Sequence, residues 1–179
     1  MERKLSSKRL YEGRILSLRV DDVEVSRNGR KAVREVIEHR AAVAILPVDE
    51  MGRFLMVRQY RYPLNADLLE IPAGLMEKGE EPLQTAKREL REETGYSAAK
   101  WEILPPVYTA PGFSNEKLHL FCAEGLQWDP LKPDDDEDIS LVRCTRDEAE
   151  ALFKSEEPQD AKTLAALGWF FLFHSEKKA

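Results

Sequence analysis

Between Gly74 and Tyr96 the chain reads GLMEKGEEPLQTAKRELREETGY, a segment dense in side chains able to do chemistry. Pro82 predicts a helix start, because its missing N–H costs nothing in a first turn, and Gly95 predicts the stop. Leu83, Ala86 and Leu90 fall on one face of that helix. Glu89 and Glu93 are four residues apart, so their carboxylates share a face, with Glu92 beside them. Like charges at this spacing cost a helix ~0.2–0.5 kcal/mol per pair. Glu92 and Glu93 also fall in the last turn, where the helix dipole disfavours carboxylates by ~0.3–1 kcal/mol. A divalent cation between the glutamates would reverse the sign of these terms. Neutralisation of an ordinary charged face by Lys87, Arg88 and Arg91 is the competing account.

The wider spacing separates the two. Gly74, Glu80, Arg88, Glu89, Leu90, Glu92, Glu93, Gly95 and Tyr96 occupy all nine specified positions of G-x5-E-x7-R-E-U-x-E-E-x-G-U, where U is bulky apolar or aromatic. At ordinary residue frequencies such a match arises by chance in roughly one chain in ten million. The segment resembles the Nudix box, the signature of hydrolases acting on nucleoside diphosphates linked to another group. The resemblance implies an α/β fold of the α+β kind: an α/β/α sandwich around a mixed β-sheet, with an N-terminal antiparallel β appendage. It implies Mg2+ or Mn2+, two or three ions, held by Glu89, Glu93 and Glu92 with the backbone carbonyl of Ala73 before the box glycine, Gly74. It further implies that Arg88 orients the glutamates and that Glu80 supports the loop. The residue types agree, since magnesium prefers hard oxygen ligands and no histidine is needed. His39, His119 and His174 are scattered and read as structural or exposed.

Two further segments resemble the ADP-ribose pyrophosphatase subgroup. Pro111, sixteen residues after Gly95 in TAPGFSNE, is followed by Gly112 and Glu116. By the resemblance Glu116 approaches the metals and serves as general base; Pro-Gly turn chemistry alone is the plainer account. Val57–Tyr62, VRQYRY, precedes LLEIPAG and makes Arg61 the first candidate for a phosphate clamp, Arg58 the second and Glu70 a further substrate-site residue. A guanidinium fork suits that task, although either arginine can instead pair with a nearby carboxylate. The expected reaction is hydrolysis of ADP-ribose to AMP and ribose 5-phosphate. Other readings are another nucleoside diphosphate sugar, a dinucleoside polyphosphate or a damaged nucleotide as substrate, or a noncatalytic module that binds ADP-ribose or a protein.

The elements that must position these residues are legible in outline. In the first forty residues Leu16, Leu18 and Val20 alternate, the phase slips at Asp21-Asp22, and Val23 and Val25 resume it, which predicts a bulge or bend. Asn28-Gly29 predicts a two-residue hairpin turn, and Val33, Glu35 and Ile37 alternate after it. Such a hairpin has little core of its own. A boundary near Arg40 therefore separates residues 1–40, a dimerisation and substrate segment by resemblance, from a hydrolase domain over 41–179. Ala41–Val48 and Phe54–Tyr60 predict two strands about a polar turn, Leu68–Ile71 a third. Further strands are expected at Trp101–Leu104, Leu118–Ala123 and Ile139–Arg143, with Asp134–Asp138 as a solvated acidic loop. Helices are expected at 146–153 and 160–173, the second capped by Asp160 and packed through Ala161, Leu164, Ala165, Leu167 and Gly168.

Composition bounds the rest. The 179 residues are 42% hydrophobic and 34% charged, with a formal net charge of −6, which suits one core-bearing domain with a small appendage. Residues 1–61 carry 14 Lys and Arg against 9 Asp and Glu, and the remainder 13 against 24. An acidic part suits divalent cations and a basic part suits phosphate oxygens, while overall acidity argues against nucleic acid as partner. No apolar run spans a bilayer and MERKLSSKRL carries no secretory signal, so no membrane association is expected. Cys122 and Cys144 read as buried thiols of a cytoplasmic protein. The resemblance implies a homodimer.

Overall fold

Seven consecutive residues, Ala42–Val48, are buried, because this strand has packed side chains on both of its faces. The protein is described here from a computed structural model covering residues 1–132 and 138–174. It divides into two compact units, Met1–Ala41 with Tyr108–Lys117, and Ala42–Val107 with Leu118 onward. The acidic run expected to form a solvated loop lies outside the described residues except for Asp138, which is exposed.

The first unit is a three-stranded antiparallel sheet, β1 (Glu2–Glu12), β2 (Leu16–Val25) and β3 (Arg30–His39), in that spatial order. The phase slip does not bulge β2, whose register against β3 is unbroken from Leu16↔His39 to Val25↔Arg30. The irregularities fall on β1, between Lys4 and Ser6 and between Arg9 and Tyr11. Strand alternation therefore sends Leu16, Leu18 and Val20 to one side and Val23 and Val25 to the other. Asp21 joins the second side, buried, accepting from Ser7 Oγ at 2.6 Å and pairing with Arg19. The turn is also longer than expected. Ser26–Gly29 forms a four-residue loop between Val25 and its partner Arg30, with Gly29 at φ +67°. The Tyr108–Lys117 segment runs along β3 in this unit: Ile37 N–H donates to Phe113 O at 2.7 Å, and Asn115 N–H to Ile37 O at 3.2 Å.

The second unit contains β4 (Ala42–Val48), β5 (Phe54–Arg61), β6 (Ala66–Glu70), β7 (Ala73–Leu75), α1 (Pro82–Thr94), β8 (Tyr96–Ile103), β9 (Val107–Tyr108) apart from Tyr108, β10 (Lys117–Trp128) apart from Lys117, β11 (Ile139–Cys144), α2 (Arg146–Leu152) and α3 (Ala161–Phe173). Its sheet runs β11-β5-β4-β10-β8 and is mixed, since β4 and β10 are parallel and the other pairs antiparallel. Strand β10 takes one edge of β4 from Ala42 to Val48. The other edge is divided: β7 pairs with Ala42–Ala44, and β5 pairs only at Val48↔Phe54. The expected β4–β5 hairpin is thus a single pair, and the strands part so that the Glu70–Ala73 link can enter between them.

Alternation in β4 separates two cores. Ala42, Ala44, Leu46 and Val48 pack with Phe54, Met56, Leu120, Ala149, Ala166 and Leu167 on the side of α2 and α3. Val43 and Ile45 pack with Ala86, Leu90, Phe121 and Ala123 on the side of α1. This is the α/β/α sandwich. Each fully buried Leu or Phe contributes ~1.5–3 kcal/mol to it. In α3 the expected Leu167 is buried and Ala165 packs beside it, Thr163 and Ala166 complete the buried face, Leu164 and Gly168 are half-buried, and Ala161 is exposed. Aromatic residues extend that face, with Phe170 and Phe171 edge-on to Phe54 at 5.2 and 5.9 Å. Strand β8 starts at Tyr96, earlier than expected, because Gly95 stops α1 at φ +78° and Tyr96 at once pairs with Trp128. Cys122 and Cys144 are buried thiols in β10 and β11 and form no disulfide.

Candidate active site

Helix α1 begins with Pro82 in its first turn and buries Ala86 and Leu90 against the sheet, which turns its charged face toward the β7 loop. On that face Arg88 is a hub. Its Nη1 donates to Glu89 Oε1 at 2.7 Å and Glu92 Oε2 at 2.8 Å. Its Nε and Nη2 donate to Glu80 at 3.3 and 3.2 Å, and Nη2 also reaches the Leu75 carbonyl at 3.3 Å. Only an arginine fork can serve three carboxylates and a carbonyl at once. Burial opposes the charge on Arg88, but these carboxylates outweigh it and raise its pKa further. The Arg88 hydrogen bonds in turn hold the Glu80 carboxyl down at about 2. The Glu77 N–H, donating to Glu80 Oε2 at 3.0 Å, helps.

Gly74 makes room for Glu89. A Cβ built on Gly74 would stand 2.0 Å from the Glu89 carboxyl carbon and 2.1 and 2.3 Å from its oxygens. Glu89 is buried. One turn on, Glu93 Oε2 accepts the Ala73 N–H at 3.1 Å, so the two glutamates bracket the start of β7. Among the described residues no three His, Cys, Asp or Glu side chains converge closely enough to hold a metal as they stand. Glu89 and Glu92 are instead drawn to Arg88, and Glu93 to the backbone. The donor types still fit a hard divalent cation: three glutamates on one helix beside the Ala73 backbone, with no thiolate or imidazole among them.

Arg61 on β5 reaches along the β5–β6 pair to Glu70 on β6, its Nε and Nη2 donating to the two Glu70 oxygens at 2.6 and 2.7 Å. The plainer expectation for an arginine here, pairing with a carboxylate, is therefore met at Arg61. Burial would raise the pKa of Glu70, but Arg61 and Lys162 outweigh it and hold it below the usual carboxylate range. The Glu70 hydrogen bonds raise that of Arg61. Arg58 is exposed on β5 and has no ion pair among the described residues.

Pro111 and Glu116 belong to the first unit. Pro111 is exposed in a turn closed by Phe113 and Ser114 N–H groups donating to Ala110 O at 3.1 and 2.9 Å. Glu116 is half-buried: Thr109 Oγ1 donates to it at 2.6 Å, and His39 Nδ1 lies 3.3 Å away. His39, read from sequence as structural or exposed, is thus a neighbour of the candidate base. His174 is structural, stacked on Phe170 at 4.8 Å and bonded to Glu102 at 2.7 Å. Asp160 caps α3 as expected, accepting the Thr163 N–H at 2.9 Å. Sequence reasoning missed Lys162, which pairs with Glu70; the signal was the adjoining Asp160-Ala161-Lys162-Thr163, read only as a cap.

A NUDIX domain model matches residues 38–167. The chain is 42% identical over 173 residues to an ADP-ribose pyrophosphatase of Bacillus subtilis, covering 96% of this chain and 93% of the relative. It is 40% identical, with the same coverages, to a methanol dehydrogenase activator of Bacillus methanolicus. A crystal structure of an ADP compounds hydrolase superposes with a TM-score of 0.84 at 26% identity, covering 95% of this chain and 94% of that one. With the box residues gathered on Arg88, Gly74 shaped to Glu89, and the match extending over most of its length, the chain belongs to the Nudix family.

Proposed function

We propose that this protein hydrolyses the pyrophosphate bond of ADP-ribose, releasing AMP and ribose 5-phosphate. The observation that carries the reading is the intact Glu89, Glu92, Glu93 and Arg88 cluster in a chain similar end to end to an ADP-ribose pyrophosphatase. Glu89, Glu93, Glu92 and the Ala73 carbonyl would hold Mg2+ or Mn2+, in two or three ions. When bound, such ions neutralise charge on a diphosphate and make water more acidic. Arg88 keeps Glu89 and Glu92 in place while their charges are unneutralised. Arg61, with Arg58, supplies guanidinium groups to the phosphates. Glu116, oriented by Thr109 and His39, takes the proton from the attacking water. A water oxygen–phosphorus bond forms and a bridging phosphorus–oxygen bond breaks.

The first unit supports a homodimer. All eleven residues of β1 are exposed, and the unit buries only Asp21 and Val23. A sheet with so little core gains most from a second copy. The buried thiols are consistent with a reducing cytoplasm, and among the described residues no helix is long and apolar enough to cross a membrane.

A second substrate reading, another nucleoside diphosphate derivative, is favoured by the likeness to an ADP compounds hydrolase. Mass spectrometry of products from ADP-ribose, nucleoside diphosphate sugars and dinucleoside polyphosphates, with Mg2+ and with Glu93→Gln as control, tests both. Preferential release of AMP and ribose 5-phosphate, reduced by orders of magnitude in a folded Glu93→Gln, is expected. Preference for another panel member replaces the substrate, and silence across the panel leaves a binding module.

A further inference from the structure

We propose that Lys162, on α3, is a positioning residue that keeps Arg61 fixed and electropositive toward a diphosphate; this rests on the hydrolase reading above. The argument begins with Glu70, which is 2% exposed and can meet a substrate only through its neighbours. Both of its oxygens are taken by Arg61, and Oε2 also receives the Lys162 ammonium. The Lys162 side chain is itself 10% exposed, and its other contact is Asp160 Oδ1 at 3.1 Å. Two cations therefore share one buried carboxylate.

That sharing has an electrostatic consequence. Lys162 offsets part of the negative charge that Glu70 and Asp160 place near Arg61, so the guanidinium is less fully cancelled than it would be beside those carboxylates alone. Arg61 uses Nε and Nη2 on Glu70, which leaves Nη1 directed elsewhere on a side chain 38% exposed. A fork pinned by one edge and open at the other is preorganised for a phosphate oxygen.

Helix α3 makes a second contact with the same segment. Thr163 Oγ1 accepts the Ile71 N–H at 2.9 Å and donates to Asp160 Oδ2 at 2.6 Å. Pro72 O accepts the Ile45 N–H at 2.8 Å, and Ala73 N–H donates to Glu93 at 3.1 Å. The link from Glu70 to Ala73 is thus fastened at each residue, by α3, β4 and α1 in turn. Lys162 and Thr163 connect α3 to the residues that carry both the arginine and the Ala73 carbonyl.

The test compares Lys162→Met, Lys162→Arg and wild type by ADP-ribose kinetics and by calorimetric titration with inorganic pyrophosphate in the absence of divalent cations. Lys162→Met is expected to raise KM and weaken pyrophosphate binding about tenfold while kcat changes less than about threefold. Lys162→Arg, which restores the second cation, is expected to return both to within about twofold of wild type. Should Lys162→Met be poorly folded, Lys162→Gln, with the same readouts, replaces it. A variant that lowers only thermal stability, with KM and pyrophosphate affinity unchanged, overturns the proposal. If the wild type cleaves no nucleotide, the hydrolase reading fails and pyrophosphate affinity alone decides on Lys162. A wild type that binds no pyrophosphate removes the phosphate role of Arg61 and the proposal with it.

Discussion

The α-carbon of Gly74 and the carboxylate of Glu89 occupy adjoining space, so that a single methyl group on Gly74 would fall 2.0 Å from the Glu89 carboxyl carbon. This glycine is required for its lack of volume and not for its backbone angles, since only Gly29, Gly52, Gly79, Gly95 and Gly125 have positive φ among the described glycines. Gly74→Ala should displace Glu89 while leaving the β4–β7 pairing intact. Turnover is expected to fall ~100-fold, as for a misplacement of about 1 Å at a reacting centre. Steady-state kinetics beside circular dichroism checks it, and near-wild-type turnover would show that Glu89 tolerates the shift.

Arg88→Lys keeps the charge but has three donors on one nitrogen, which cannot serve Glu80, Glu89, Glu92 and Leu75 O together. Losing charge-assisted hydrogen bonds costs ~1.5–3 kcal/mol each in stability. A Tm lowered by roughly 4–10 °C is expected from differential scanning calorimetry. A Tm within error of wild type would mean that the glutamates do not depend on the fork.

Glu80 gives the fold an acid limit. Its carboxyl lies at about 2 against an ordinary 4.5, chiefly through Arg88. A depressed folded-state pKa stabilises the fold fully above the unfolded value and loses that contribution as pH falls from about 4.5 toward about 2. Urea denaturation of wild type and Glu80→Gln over this range should show the two stabilities converging as pH falls. A gap independent of pH would remove Glu80 as the source.

The exposed Leu10 and Val33 of the first unit should lie against a second copy. Sedimentation of the wild type is expected to give twice the 20.5 kDa chain mass, and Leu10→Glu with Val33→Glu to move it toward a single chain. A wild-type monomer at micromolar concentration would end the homodimer reading.

Burial pushes the Cys144 thiol up to about 11, with Glu148 adding repulsion. In Cys122→Ser, Cys144 should react with a thiol reagent at neutral pH only after denaturation. Rapid labelling of the native protein would contradict the burial of Cys144 at the end of β11.

The glutamate spacing, the Pro82 start, the Gly95 stop and the doubly apolar β4 run were all legible in the sequence, because each is a local rule of helix or strand. The expectations that failed locally share a cause. The slip read as a bulge or bend leaves the β2–β3 register unbroken while the irregularities lie on β1, the two-residue turn has four residues, and α3 buries Thr163 and Ala166 beside the expected Leu167. Each depends on which partner a face meets, and one strand or helix does not encode its partner.

The same division runs through the candidate site. Arg88, Glu89, Glu92 and Glu93 were identifiable because they lie within one helix, where spacing dictates geometry. The Glu70 and Lys162 pair joins residues 92 positions apart, and His39 at the end of β3 meets Glu116 in the loop before β10. The sequence by itself determined the chemistry available to this protein: a carboxylate helix, its arginine and a glycine with no side chain in the way. Tertiary structure alone decided which carboxylate each cation holds, because a buried charge takes whichever partner the packing of β6 and α3 brings within reach.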